Sequence, residues 1–244
     1  MTTCLNCSNA FEGNFCNECG QKAATHRFTM HEWLHEIPHS IFHVDGGFFY
    51  TLKNLCLRPG KMMREYVEGR RKIYFSPFLY LLIWCGIFIV INHFVSDATA
   101  AKKEITDLKS AGAYLVANYY KVLIVAMILP MSLSSFLIFY RSGFNFAEHL
   151  VLSAFITAQL IIGDVVVYSV AAINFTQGKT QILLVLNLLL KFPFWIWAYW
   201  QFFKPKNRLV GALQVFATIF LCTLLSQAML EGAVYLLFLL KGSH

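Results

Sequence analysis

Charge is what this chain has least of. Only 14% of its 244 residues are Asp, Glu, Lys or Arg, and 57% are hydrophobic. Water-soluble domains carry about 25% charged and roughly 45–50% apolar residues. A soluble fold of this length cannot hide so much apolar surface. The chain also lacks a G-x-x-x-x-G-K-S/T phosphate loop, a G-x-S-x-G elbow and a dinucleotide fingerprint, which removes the commonest signatures of nucleotide and serine-hydrolase chemistry. No internal repeat or sustained heptad stands out. The first 20 residues have neither the basic start nor the apolar run of a secretory signal, so residues 1–75 are expected to stay on the side where the chain is made.

Long apolar runs fill most of the rest. A membrane span needs about 20 mostly apolar residues. Residues 76–95 qualify without any Asp, Glu, Lys or Arg, and 121–140 qualify with a kink expected at Pro130. Residues 149–173 enclose Asp164, and 181–203 enclose Lys191 and Pro193. Residues 209–240 suit one tilted or kinked helix, or a span ending near Gln227 with a further apolar turn. The expected fold is therefore an all-α integral membrane protein with about five transmembrane helices over 76–240. A small ribbon at 1–25 and basic, amphipathic interfacial helices at 26–75 precede it. With the N-terminus in the cytoplasm, inner segments hold 13 Lys and Arg against six outside. That asymmetry predicts the C-terminus outside. Trp195, Trp197, Tyr199 and Trp200 then fall at the inner interface, where an aromatic belt belongs.

Cys4-x2-Cys7 and Cys16-x2-Cys19 are the strongest local motif. Each C-x2-C loop points two thiolates at one ion, and two loops complete a tetrahedron. Such a closed site has no open position for substrate, so its Zn2+ is structural and holds together a segment too short to build a core. Disulfides or an iron–sulfur site are the alternatives; disulfides are disfavoured in a cytosolic segment. Cys56, Cys85 and Cys222 are scattered and read as small apolar residues.

His31-Glu32-Trp33-Leu34-His35 matches H-E-x-x-H, in which two His on one helical face grip zinc and the Glu activates its water. The overlapping copy at His35–His39 contains Pro38, which breaks a helix. A protease also needs a third ligand and a walled cleft, and nothing in the sequence requires Glu65 or Glu68 to serve. Trp33, Leu34, Ile37, Ile41 and Phe42 instead give an amphipathic segment at the interface with its His and Glu towards water.

Arg58, Lys61, Arg64, Arg70, Arg71 and Lys72 lie just before the first span. Such a cluster either sets topology or binds anionic lipid, at ~1 kcal/mol per basic residue near the surface; it is not read as a nucleic-acid site. Arg58-Pro59-Gly60 divides this stretch into two short amphipathic pieces. The order of motifs resembles a known bacterial membrane family, domain of unknown function 3667. The resemblance runs over residues 4–80: the Cys pairs ending in Phe15–Lys22, the His-rich stretch to Val44–Phe48, Thr51-Leu52-Lys53, Arg58-Pro59-Gly60, Arg64-Glu65-Tyr66, Gly69-Arg70-Arg71, and Tyr74 to Pro77-Phe78. Arg70 stands where that family is expected to carry Lys. The resemblance implies a zinc ribbon, a multi-pass membrane region and a bacterial inner-membrane location; it implies no activity.

Asp164 and Lys191 each cost about 2.5–3.5 kcal/mol facing lipid at a span centre. They fall at similar depth on consecutive antiparallel spans, which predicts an ion pair between them, with Asn187 one turn from Lys191 on the same face. The pair is a clasp between two helices or part of a relay. The leading expectation is a non-catalytic membrane protein whose ribbon and basic segment recruit a protein partner or anionic lipid. A small transporter using Asp164 and Lys191, and a metalloprotease centred on His31, Glu32 and His35, are the alternatives. No feature sets the oligomeric state.

Overall fold

The computed structural model describes residues 1–25, 27–30, 47–96, 112, 114, 115, 119, 122–174 and 177–242. The histidine run, with His31, Glu32 and His35, lies outside the described residues. The chain opens on two short strands, β1 (Thr2–Thr3) and β2 (Ala10–Phe11), paired antiparallel with Thr2 opposite Phe11. The described helices are α1 (Gly47–Leu57), α2 (Pro59–Val67), α3 (Pro77–Ser96), α4 (Ile128–Ile138), α5 (Phe146–Asn174), α6 (Gln177–Phe203) and α7 (Arg208–Gly242).

Local chemistry accounts for most boundaries. α1 ends at Leu57, and Arg58 adopts an extended φ of −152° before Pro59 opens α2, because the residue before proline is pushed out of the helical region while Pro suits the first helical turn. The apolar run from Val122 is interrupted at Met127, and α4 restarts just ahead of Pro130. Proline lacks the N–H that would bond four residues back. Asn145 caps α5: its Oδ1 accepts the Glu148 N–H at 2.9 Å, and Glu148 Oε2 accepts the Asn145 N–H at 2.8 Å. This reciprocal box satisfies two amide donors that helix starts leave free. Asn207 caps α7 through its Oδ1, which accepts the Leu209 N–H at 2.9 Å. α7 runs unbroken over 35 residues, straight through Gln227.

The helices share one core. α3 lies along α5, α4 packs between α5 and α7, and α2 sits beneath the ends of α5 and α6. Met62, Met63, Tyr66 and Val67 of α2 join Phe155 of α5 and Ala198, Tyr199 and Phe202 of α6 in that core. Full burial of a side chain such as Met62 contributes about 1.5–3 kcal/mol. Gly60 allows the approach: a β-carbon there would meet Ala198 O, and would come within 2.5 Å of Gln201 Cβ and Phe202 N. The first turn of α2 thus touches the backbone of α6 directly.

Two described helices, Phe146–Val170 and Arg208–Leu240, are long and apolar enough to cross a membrane; Pro77–Ile91 and Val122–Ile138 are shorter apolar helices. The outer faces of α6 and α7 are apolar as well: Val185, Leu186, Leu189, Leu190, Leu213, Phe216, Phe220 and Leu236 are all exposed.

Candidate functional site

The ribbon brings its cysteines to one point. Sγ atoms of Cys4, Cys7, Cys16 and Cys19 all lie within 4.8 Å of one another, with Cys4 to Cys19 and Cys7 to Cys16 at 3.5 Å. A tetrahedral ion with metal–sulfur bonds of about 2.3 Å needs sulfurs roughly 3.8 Å apart, so this group can hold a metal ion. Both loops are built alike. The Cys4 N–H bonds Asn9 O at 2.8 Å, and the Cys16 N–H bonds Gln21 O at 2.8 Å. Each loop then turns through a positive φ, at Ser8 (63°) and Gly20 (71°). Cys16 is lowered to about 6, first by the Cys19 backbone N–H, against the opposing push of burial. At Cys7 the Asn9 N–H pulls downward, yet burial and the neighbouring sulfurs carry the thiol up to about 12. Four thiols this close titrate as a set, each thiolate disfavouring the next. A cation at their centre removes that repulsion.

The ribbon is fastened to the rest of the chain. Gln21 Nε2 donates to Gly69 O at 2.9 Å, and the Lys72 N–H donates to Gln21 Oε1 at 3.4 Å. Gly69, at φ 111°, leaves room for Leu5, whose Cδ1 would lie 2.6 Å from a β-carbon there. Beyond the ribbon, Arg27 grips the buried carboxylate of Glu148 through Nε (2.9 Å) and Nη2 (2.5 Å), and Nη2 also donates to Gly143 O at 2.7 Å. The Glu148 bond raises the Arg27 pKa further. Asn145 Nδ2 donates to Phe28 O at 2.8 Å, while Phe28 is fully buried beneath the Arg71 guanidinium, 4.8 Å from its ring.

The basic residues of 58–74, a collar at the base of the helical body, divide by task. Arg58 Nε donates to Asn54 Oδ1 at 2.6 Å, Nη1 to Glu65 Oε1 at 3.2 Å and Nη2 to Tyr74 Oη at 3.3 Å; Tyr74 Oη donates to Glu65 Oε2 at 2.6 Å. Burial, then the Glu65 carboxylate, drives the Tyr74 phenol well above its ordinary pKa, so it stays a donor. Together these side chains knot α1, α2 and the loop before α3. Arg64 reaches Phe202 O at 3.0 Å and Glu68 Oε1 at 2.7 Å. Arg58, Arg64 and Arg71 therefore act chiefly inside the protein. Lys61, Arg70 and Lys72 are exposed.

Between α5 and α6, Lys191 Nζ and Asn187 Nδ2 both donate to Asp164 Oδ1, at 2.7 and 2.6 Å. Gly163 makes room for Asn187, whose Oδ1 would lie 2.8 Å from a β-carbon. Asn187, expected on the same face one turn from Lys191, is a second donor to the same oxygen. The sequence alone singles out neither Arg27 nor Glu148. The Asn145-x-x-Glu148 spacing ahead of an apolar run was the available signal for the carboxylate, although nothing local marks Arg27 as its partner 121 residues away.

Residues 45–89 match the family described as "Protein of unknown function (DUF3667)". No curated protein and no solved structure matches the chain.

Proposed function

We propose that this chain, which carries a domain of unknown function 3667 at residues 45–89, is a non-catalytic integral membrane protein. Its zinc-loaded ribbon and basic collar form a cytoplasmic platform that recruits a protein partner or anionic lipid. Five spans, α3 to α7 with the apolar turns before α4, anchor it, with the N-terminus inside and the C-terminus outside. The observation that carries the reading is a four-thiol site fastened to the collar at the end of a helical body with apolar outer faces. A closed Cys4 site offers an ion no vacant position for chemistry. Soluble monomers rarely expose such extensive apolar surface.

Metal content per chain of detergent-purified protein tests the reading. One zinc per chain is expected, lost in Cys4→Ser/Cys7→Ser and kept in His31→Ala/His35→Ala. Two per chain, falling to one in the histidine variant, would overturn the non-catalytic reading in favour of a metallopeptidase. For recruitment, deleting residues 1–25 should remove a crosslinked partner and leave the helical body folded; an unchanged set of partners counts against it. The convergence of Lys191 and Asn187 on one oxygen of Asp164 supports a helix clasp over a transport relay. Flux of a tested ion through proteoliposomes, abolished by Asp164→Asn, would reverse that preference.

A further inference from the structure

A cavity of about 480 Å³ opens where α2 meets the end of α6, lined by Arg58, Lys61, Trp200, Gln201, Lys204 and Pro205. Three of these six residues are cationic and none is acidic. Arg58 is held by Asn54, Glu65 and Tyr74. Lys61 and Lys204 are exposed, and among the described residues neither ammonium group has a protein partner. Gln201 is fixed by the Lys61 N–H, which donates to its Oε1 at 3.3 Å. Lys204 follows the last residue of α6 at φ 48°, where its N–H bonds Trp200 O at 3.1 Å, the left-handed stop common at helix ends. Arg58 is already neutralised by Glu65 at 3.2 Å, whereas Lys61 and Lys204 face the same cavity with no carboxylate in its lining and repel each other unless an anion sits between them.

The surroundings are those of an amphiphile's site. Leu57, just before Arg58, is exposed, as are Leu209 and Val210 in the first turn of α7. That turn borders the cavity, because Gly211 lies against Pro205 and Trp200. Trp200 belongs to the aromatic group at the end of α6, the kind of residue that sits at headgroup level. Basic pockets between spans on the cytoplasmic side suit phosphate-bearing headgroups.

We propose that this cavity binds the phosphate of an anionic phospholipid, with Lys61 and Lys204 contacting it and Trp200 lying beside the glycerol region. The site deepens the lipid-recruiting half of the function proposed above and rests on its membrane reading. It differs from a diffuse basic surface in being local: Lys204 lies 132 residues beyond Lys72, outside the charge cluster that precedes α3.

The test is calorimetric titration of full-length protein in neutral detergent with dihexanoyl phosphatidic acid, dihexanoyl phosphatidylcholine and inorganic phosphate. Wild type should prefer the anionic lipid over the zwitterionic one at least tenfold. Lys61→Gln/Lys204→Asn should abolish that preference; Asn tolerates the positive φ. Lys53→Gln/Arg141→Gln, which removes as much charge outside both the cavity and the basic cluster, should keep it. Equal preference in wild type and the cavity variant overturns the site, and so does an equal loss in the control variant. Inorganic phosphate binding as tightly as the lipid overturns the lipid as the source. If the double variant does not fold, Lys61→Gln alone decides, since an unchanged preference again overturns the site. Reconstitution into phosphatidylcholine vesicles separates the two readings. Failure to insert defeats the membrane reading, whereas insertion without anionic preference defeats the cavity alone.

Discussion

The ribbon and the helical body exclude water by different means. Residues 1–25 bury little more than Cys4, Phe11 and Cys16 as a cluster, and their focus is four sulfurs. The helical body draws a continuous apolar core from every helix between α2 and α7. One region is therefore organised around a thiol group that can hold an ion, and the other around packing. They meet at a few contacts, Gln21 on Gly69 and Lys72, and Leu5 against Gly69, and the segment that follows the ribbon adds Arg27 on Glu148. Losses of metal, of a buried polar partner and of packing space should consequently register in different places.

Removing the metal should have the largest effect. Structural zinc contributes an apparent ~10–16 kcal/mol in small ribbon peptides, so Cys16→Ser or chelation is expected to unfold residues 1–25. The helical body should keep its melting temperature. Amide exchange mapped by mass spectrometry distinguishes this from a collapse of both regions, which would erase the contrast. Next comes the collar. Glu65→Ala leaves Arg58 and Tyr74 without their shared acceptor. Breaking a buried pair costs about 3–5 kcal/mol, and partial exposure of Arg58 reduces that to about 2–3. Denaturation in detergent should show this loss in the body and none in zinc content.

Gly60→Ala forces a methyl group onto the α6 backbone, with an expected cost of about 1–3 kcal/mol by overpacking. Crosslinking between cysteines placed on α2 and α6 should report the separation. Asp164→Asn should cost less, about 1 kcal/mol, because side-chain bonds between spans average near 0.6. The double swap Asp164→Lys/Lys191→Asp should recover folding if the pair is a clasp. Smallest is Ser8→Gly, which relieves a positive φ. It should strengthen zinc retention against chelator slightly, by about 0.5 kcal/mol, with no change in the body.

Much of this was legible beforehand because it is local. The C-x2-C spacing places two thiols on one tight turn able to share an ion, and runs of about 20 apolar residues specify long helices without reference to a partner. The break at Arg58-Pro59 and the restart near Pro130 follow from the proline ring. Two expectations changed in meaning. Arg58, Arg64 and Arg71 looked like lipid hooks, yet their guanidinium groups are occupied by Glu65, Glu68, the Phe202 carbonyl and the Phe28 ring. Gly60 looked like a chain breaker, yet its missing side chain is what lets α2 touch α6.

The sequence by itself determined the metal-binding spacing, the helical content and the position of the helix breaks, since each depends on residues within one or two turns. Tertiary structure alone decided which charges are spent inside the molecule and which remain available. It brought Arg27 to Glu148 across 121 residues, and Lys61 to the same cavity as Lys204. An arginine's chemistry is the same wherever it stands; whether a carboxylate, a carbonyl or an open cavity lies within reach is set only when distant helices dock.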